Sequence, residues 1–444
     1  MNPSPSSTTS LSVAPAAPRS GGRFARLPLL AGRSFIPLGL FARLPLAMLT
    51  VGALTLVTAV TDSYAVGGAA AGAVGIGSAL GAPVLGAVAD RLGQRPVLLF
   101  SAVFNTVAVT ALILAAYLVP SGRELAAAVP VLAAAFVAGA SCPQVGPLAR
   151  VRWMALSARG GGHAEDLDTA LSYESTADEL TFVLGPALVG ILASLLSPWL
   201  PLALAAALTL TLVPAFAVHP THRAVPRTPA RSRAASDAAR QQRRALTTGQ
   251  RAASFAAVGL PVLAMVCMGT FFGSTQTSLS SFSASFATSE LAGLLYAVMG
   301  LSSAAAALSV AYWPRRFSVH ARWLACAALM TGLAALLLLP SAALPMILVL
   351  LVLGLPVGPL MVTVFAIGGV VAPAGKLGTV MTALASGIVA GTALGSSIAG
   401  QLAQNSGYSA AFLVPVCAAA ALLLLGAAAA VVLQRRNKTT AAAA

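Results

Sequence analysis

Long apolar runs separated by short polar turns make up most of this 444-residue chain. Twelve runs stand out, at 42–61, 65–89, 97–119, 126–149, 173–196, 199–218, 254–283, 291–313, 321–340, 343–372, 377–402 and 409–433. Each reaches the roughly 20 residues that a helix needs to cross a bilayer. Ala, Leu, Gly and Val fill them without the alternation and ten-residue length of barrel strands, so they predict transmembrane helices. The expected fold class is an all-α polytopic membrane protein with twelve spans. Composition agrees: 58% of residues are hydrophobic and 8% charged, with a mean hydropathy of +0.88.

Charge refines the picture. A net charge of +15 would suit a nucleic-acid binder, but its distribution does not. With twelve spans and both termini on one side, that side holds every one of the 26 Lys and Arg except Arg43, at the inner end of span 1, and Arg123. This is the positive-inside bias, so both termini are expected in the cytoplasm and the chain in the inner (plasma) membrane. The basic residues then face anionic lipid, and no nucleic-acid partner is expected. Trp153, Trp199, Trp313, Trp323, Tyr64, Tyr117, Tyr173, Tyr312 and Tyr408 fall near span ends, as an interfacial aromatic belt would. Cys142, Cys267, Cys326 and Cys417 lie inside apolar runs and imply no disulfide framework.

The polar segments divide the chain. Residues 1–33, rich in Ser, Pro, Ala, Gly and Arg, read as a disordered cytoplasmic tail. Residues 219–253 form a basic linker, and 434–444 a short C-tail. Between them lie two six-span units, 34–218 and 254–433. The halves echo each other: Ser63–Arg95 can be laid on Ser289–Ala321, and Val145-Gly146-Pro147-Leu148 recurs as Val357-Gly358-Pro359-Leu360. Internal repeats of this kind build alternating-access transporters. Small residues recur every four positions in span 2 (Gly67, Ala71, Gly75, Ala79) and in span 11 (Gly387, Gly391, Gly395, Ala399). Such stripes allow close helix approach; the two are expected to face each other, or else reflect abundant Gly and Ala.

The most specific signal is the charged turn Gly86-Ala-Val-Ala-Asp90-Arg91-Leu-Gly93-Gln94-Arg95, between spans 2 and 3. It resembles the signature loop of the major facilitator superfamily, and the resemblance extends over about residues 35–433. It is nearest to bacterial drug or sugar efflux permeases. It implies two six-helix bundles related by a pseudo-two-fold axis around a central cavity. It also implies that Asp90 meets the start of span 11 near Gly378 and Thr379, with Arg150 or Arg152 of span 4 beside it, closing an inner gate. Otherwise Asp90 is a solvated topology charge. Gln94 stands where the family usually has a basic residue.

Span 5 carries Gly185-Pro186-x-x-x-Gly190, a partial match to the family's antiporter-type helix 5 motif, with Val189 and Thr181 where glycines are usual. Pro186 should bend the span, and Gly185 and Gly190 should let it approach span 8. Glu174, Asp178 and Glu179 lie on the same span, and carboxylates at that depth mark ion pathways or pairing sites. They are expected either to titrate, coupling transport to protons, or to pair with Arg150 and Arg152 as part of the gate. A deep acid in span 1, common in proton-coupled exporters, is absent; Asp62 lies at its outer edge. Span 7 is rich in Ser and Thr; with Asn105, Gln144, Gln276 and Tyr296 it is the expected substrate cavity, although such hydroxyls also bond their own helix. No arginine or lysine is evident mid-span to receive a charged substrate.

Neither a nucleotide-binding Gly-rich loop nor an intramembrane protease pattern occurs, so no enzyme is expected. His219 and His222 lack partners for a metal, and no cofactor is implied. The reading is proton-coupled efflux of a small amphipathic compound (drug, metabolite or sugar). Proton-coupled uptake of a neutral solute is the alternative, with a non-transporting sensor or scaffold behind it.

Overall fold

The computed structural model describes residues 22–118, 128–159, 164–226, 248–285, 291–314 and 316–441. Residues 1–21, Arg123, the linker from 227 to 247 with Asp237, and residues 442–444 lie outside the described residues. Among those described, twelve helices are long and apolar enough to cross a membrane. Spans 1 to 6 are Phe35–Thr61, Val66–Leu92, Gln94–Leu118, Val129–Arg159, Glu165–Leu195 and Leu200–Val218. Spans 7 to 12 are Ala256–Ala284, Ala292–Tyr312, Val319–Leu338, Ala343–Val371, Leu377–Ala411 and Leu413–Val431. The described residues contain no strand.

Packing repeats across the two sets of six. Spans 1 and 5, 2 and 4, and 3 and 6 pair in the first; 7 and 11, 8 and 10, and 9 and 12 pair in the second. The bundles meet through spans 2 and 11 and through spans 5 and 8. Phe100, Leu114, Ile191, Leu301, Leu348 and Leu424 project outward, as suits a surface solvated by lipid tails. The small-residue stripes meet in part only. Gly75 of span 2 lies against Ala393 of span 11, but Gly67 packs on Leu54 and Thr58 of span 1, and Gly391 and Gly395 of span 11 press on the backbone of span 7 at Val266 and Thr270. On span 2 the glycines outside the stripe, Gly77 and Gly81, press on Phe136 and Ala140 of span 4, so the closest backbone approaches lie within each bundle.

The shared Val-Gly-Pro-Leu string behaves differently in its two settings. Span 10 stays continuous through Pro356 and Pro359. Span 4 is broken: one helix ends at Ser141, Cys142 is extended (φ −60°, ψ 124°), and a second helix starts at Val145. Pro143 accounts for the break, since a residue before proline is pushed out of the helical region.

The N-tail also departs from expectation. Residues 23–31 form a 3-10 turn and a short helix. Leu27 and Ala31 are buried in the first bundle beside Phe35 and Trp153. The apolar run Leu27-Pro-Leu-Leu supplies the anchor that the surrounding Ser/Pro/Arg composition masks. Two expected belt residues are likewise internal: Trp153 and Trp323 are fully buried, whereas Trp199, Tyr117 and Tyr312 are exposed.

Candidate functional site

Asp90 ends span 2 and faces the first turn of span 11. Its Oδ1 accepts from the Gly378 N–H at 2.8 Å; its Oδ2 accepts from the Thr379 N–H at 2.8 Å and the Thr379 hydroxyl at 2.7 Å. A helix N-terminus offers unpaired N–H groups and a favourable dipole, so the carboxylate caps a helix of the opposite bundle. Gly86, one turn back, is buried against Gly378 and Thr382, where any side chain would collide. Gly93 makes the turn into span 3 at φ +92°, a left-handed conformation suited to glycine. Arg91 and Arg95 are exposed.

Neither Arg150 nor Arg152 reaches Asp90, contrary to the expectation. Arg152 is fully buried. It donates to Gln94 Oε1 at 2.8 Å, the Phe216 carbonyl at 2.7 Å and the Thr221 hydroxyl at 3.1 Å, with its guanidinium over the Phe216 ring. Gln94 itself donates to the Leu148 carbonyl at 3.2 Å. A basic residue at 94 would face a buried guanidinium, which explains the neutral amide. Nearby, His219 lies below the usual imidazole range because of partial burial, the Arg152 charge and His222.

The span-5 acids divide between two surroundings. Arg43 donates to Glu174 Oε2 at 2.6 Å and to Asp178 Oδ1 at 2.7 Å; Arg150 donates to Asp178 Oδ2 at 2.7 Å. The Trp153 indole N–H donates to Glu174 Oε1 at 2.8 Å. Two arginines and two carboxylates thus form a neutral cluster, with the Arg150 guanidinium also over the Phe365 ring of span 10. Glu179, one residue on, points the other way. It accepts from the Ser303 hydroxyl of span 8 at 2.8 Å, and Thr176 donates to the Ala304 carbonyl of the same span at 3.0 Å. The expected pairing therefore holds for Asp178 with Arg150, but not for Glu179, and Arg152 takes no part.

The helix 5 motif is placed differently as well. Gly185 packs against Ala47 of span 1, and Gly190 is exposed, with open space where a side chain would stand. The tight contact of span 5 with span 8 comes instead from Gly300, opposite Val183.

A partly open cavity lies between the bundles, lined by residues of spans 1, 2, 4, 5, 10 and 11. Its polar lining is Arg43, Ser78, Gln144, Asp178, Thr181 and Ser386; Phe182, Phe365 and Ile388 are among its apolar walls. Of the residues expected there, Gln144 is present. Asn105 instead ties span 3 to span 4 through the Ala138 carbonyl at 2.6 Å and Ser141 at 3.1 Å. Gln276 is on the exposed face of span 7. Tyr296 packs in the second bundle's core, within electrostatic range of Glu179. Span 7 hydroxyls at Thr270, Ser274 and Ser280 bond carbonyls one turn back on their own helix. Arg43 is the chief residue that sequence reasoning missed: it supplies the cationic wall that seemed lacking. Its signal was present, since an arginine inside an apolar run calls for a partner.

The family model of the major facilitator superfamily matches residues 35–387 and 262–444. The chain belongs to this superfamily. Solved structures of similar fold include the human organic anion transporter MFSD10, at 20% identity and a TM-score of 0.64, covering 88% of this chain and 99% of that one. The fucose:proton symporter of E. coli is similar at 14% identity and a TM-score of 0.61, over 89% and 99%. An outward-facing bacterial homologue of the iron transporter ferroportin is similar at 16% and 0.65, also over 89% and 99%. No curated protein matches the sequence. As a superfamily member the protein is a multi-pass membrane transporter of small molecules and not an enzyme.

Proposed function

We propose that this superfamily member exports a small amphipathic compound across the plasma membrane by proton-coupled alternating access, with both termini and the 219–253 linker in the cytoplasm. The distribution of basic residues supports that orientation, which makes the Asp90 end the cytoplasmic gate. The partial helix 5 resemblance at Gly185-Pro186 supports export. Relatives of this fold are described as carrying an organic anion, fucose with a proton, or iron, so substrate class has to be read from the cavity. Its few polar groups on apolar walls suit an amphipathic compound.

One observation carries the proton coupling. Asp178 faces the cavity between two arginines, while Glu179, the next residue, bonds the opposite bundle. A proton arriving at the cavity floor therefore acts one residue from a contact that must break when the gate opens. Everted vesicles with an imposed pH gradient and a pH-quenched dye test this. Compound-dependent proton movement is expected with the wild type and is expected to be lost in Asp178→Asn. Dequenching would mean exchange, and deeper quenching would mean movement with the compound. Absence of any response across cationic, neutral and acidic compounds, with the protein inserted, overturns the proposal.

A further inference from the structure

We infer that the cavity floor is a receptor for the carboxylate of a small amphipathic organic acid, and that Asp178 fills this receptor as an internal stand-in when no substrate is bound. The inference rests on the proton-coupled transport reading above.

The arrangement of donors is the starting point. Asp178 gives one oxygen to each guanidinium, Oδ1 to Arg43 and Oδ2 to Arg150, both at 2.7 Å. A carboxylate between two guanidinium groups is a strong, directional recognition geometry. The ligand in this case belongs to the chain itself. Its side chain is 16% exposed, whereas those of Arg43, Glu174 and Arg150 are 3%, 1% and 0% exposed. Asp178 is thus the member of the cluster that the cavity reaches, and Arg43 lines the same cavity.

Donor capacity remains after Asp178 is bound. Arg150 keeps its Nε and Nη1 buried without a hydrogen-bond partner, and so does the Ser386 hydroxyl on the cavity wall. The break in span 4 adds the start of its second helix: Gly146 lies on the cavity wall, and a Cβ built there would sit 3.1 Å from Asp178 Oδ1. Arg43, a free hydroxyl and a helix start line the cavity, with Arg150 buried directly behind Asp178. Above them Leu46, Pro147, Phe182, Phe365, Ile388 and Val389 form an apolar wall. A carboxylate head with an aromatic or short aliphatic tail fits both parts. A cationic compound would meet Arg43.

Charge balance then fixes the coupling. Arg43 and Arg150 balance Glu174 and Asp178. An added anion would leave one unpaired negative charge among buried groups, a costly state. The neutral outcome has the substrate carboxylate take the place of Asp178, while Asp178 withdraws and takes one proton from cavity water. One proton is thus bound per anion, and the two move together, so net flux follows the combined gradients of acid and proton. From a cell that produces the acid, that flux is outward. The groups facing Asp178 allow this assignment. Span 1 contributes Arg43 and span 4 Arg150. On span 5, Glu174 is held by Arg43 and Trp153, Glu179 turns to Ser303, and the Tyr173 hydroxyl donates to the Ile36 carbonyl. Spans 10 and 11 present Phe365 and Ser386 to the cavity, neither of them ionisable.

The test uses purified full-length protein with benzoate, and benzamide as its neutral match. Asp178→Ala empties the receptor. Benzoate should raise the thermal stability of this variant saturably, at concentrations at least about tenfold lower than for the wild type near neutral pH, and benzamide should not. Adding Arg43→Gln should abolish the benzoate response. In the wild type, benzoate affinity should rise about tenfold per pH unit of acidification, with one proton taken up per benzoate bound. Should Asp178→Ala fail to fold, Asp178→Asn serves, with pH-independent benzoate binding expected. Equal responses to benzoate and benzamide, or none to either, in the folded variant overturn the receptor. If neutral compounds still drive proton flux in vesicles, the receptor alone fails; if nothing drives flux, the transport reading fails with it.

Discussion

The bundles are joined at the Asp90 end by two closures that the pseudo-symmetry makes counterparts, spans 2 with 11 and spans 5 with 8. In the first, a half-buried carboxylate at a helix end caps the start of the opposite helix with three hydrogen bonds. In the second, a buried carboxylate inside a span accepts one bond from a serine hydroxyl, with a threonine–carbonyl bond a turn away. The difference lies in what each closure can sense. Asp90 sits at the span end, half-exposed, and its three bonds go to the first turn of a helix, whose N–H groups and dipole favour an anion. Glu179 is removed from water in the closed arrangement and reaches it only when spans 5 and 8 part. The fold thus places a helix-capping contact at the edge and a contact shielded from water within.

Breaking the edge lock should have the largest effect. Asp90→Asn keeps the shape but removes the charge, weakening three charge-assisted bonds and the helix-end interaction. Bonds to charged groups are worth about 1.5–3 kcal/mol each and the dipole about 0.3–1 kcal/mol, only partly lost on going to the amide. A total of roughly 3 kcal/mol would move the closed-to-open ratio about a hundredfold. Transport should be abolished with membrane insertion intact. Spin labels at Arg91 and Lys376, both exposed in the closed form, should report a longer distance in the variant. Wild-type flux at equal abundance would show that Asp90 is not the latch.

The inner contact should yield less. Ser303→Ala leaves Glu179 buried without its hydroxyl, at a cost of about 1–3 kcal/mol, and favours opening by roughly tenfold. Glu179→Gln retains an oxygen that can accept from Ser303 and should shift the balance less than Ser303→Ala. If Glu179→Gln instead matched Asp90→Asn in the label distance, the two closures would not differ in the way described.

How much of this comparison could be read beforehand depended on how local each signal is. Asp90 with Gly86 and Gly93 is a contiguous motif, and its partner residues at 378 and 379 followed from the resemblance. The twelve spans were legible because hydropathy is a property of single segments. Side-chain pairing across spans was not. Glu174, Asp178 and Glu179 stood out as costly charges, but helical periodicity alone did not say that Asp178 and Glu179 would serve different neighbours. The partners of Arg43 lie more than a hundred residues away in the chain, beyond the reach of any local pattern. Gln94 departs from the family's usual basic residue for a reason that lies on another span, the buried Arg152 against it. Asn105 and Gln276 are polar residues in apolar spans, and polarity does not distinguish a cavity wall from a helix–helix tie or an outer face.

The N-terminal arm provides the finest test, because it spans the same end as both closures yet belongs to neither. Its Leu27 is anchored in the first bundle. Arg23 donates to the Ala311 carbonyl at the end of span 8 and lies over the Tyr312 ring, with its centre 5.5 Å from the ring centroid. Phe24 contacts the same ring, and Arg26 pairs with Asp166 of span 5 at 3.2 Å. Arg23, Arg26 and Tyr312 are at the surface, although Asp166 is buried; a cation–π contact there is worth about 0.5–1 kcal/mol and an ion pair with an exposed partner up to about 1 kcal/mol. Arg23→Ala should therefore shift the closed-to-open ratio only about two- to fivefold, with Arg26→Ala smaller still because it leaves the span 8 contact in place. Raising salt should reduce the Arg26–Asp166 contribution and leave the Leu27 anchor unaffected. Pulsed distance measurements between residue 91 and residue 376 labels, repeated at low and high salt, would check the order. An Arg23→Ala effect as large as that of Asp90→Asn would mean that the arm, and not span 2, holds the bundles together at this end.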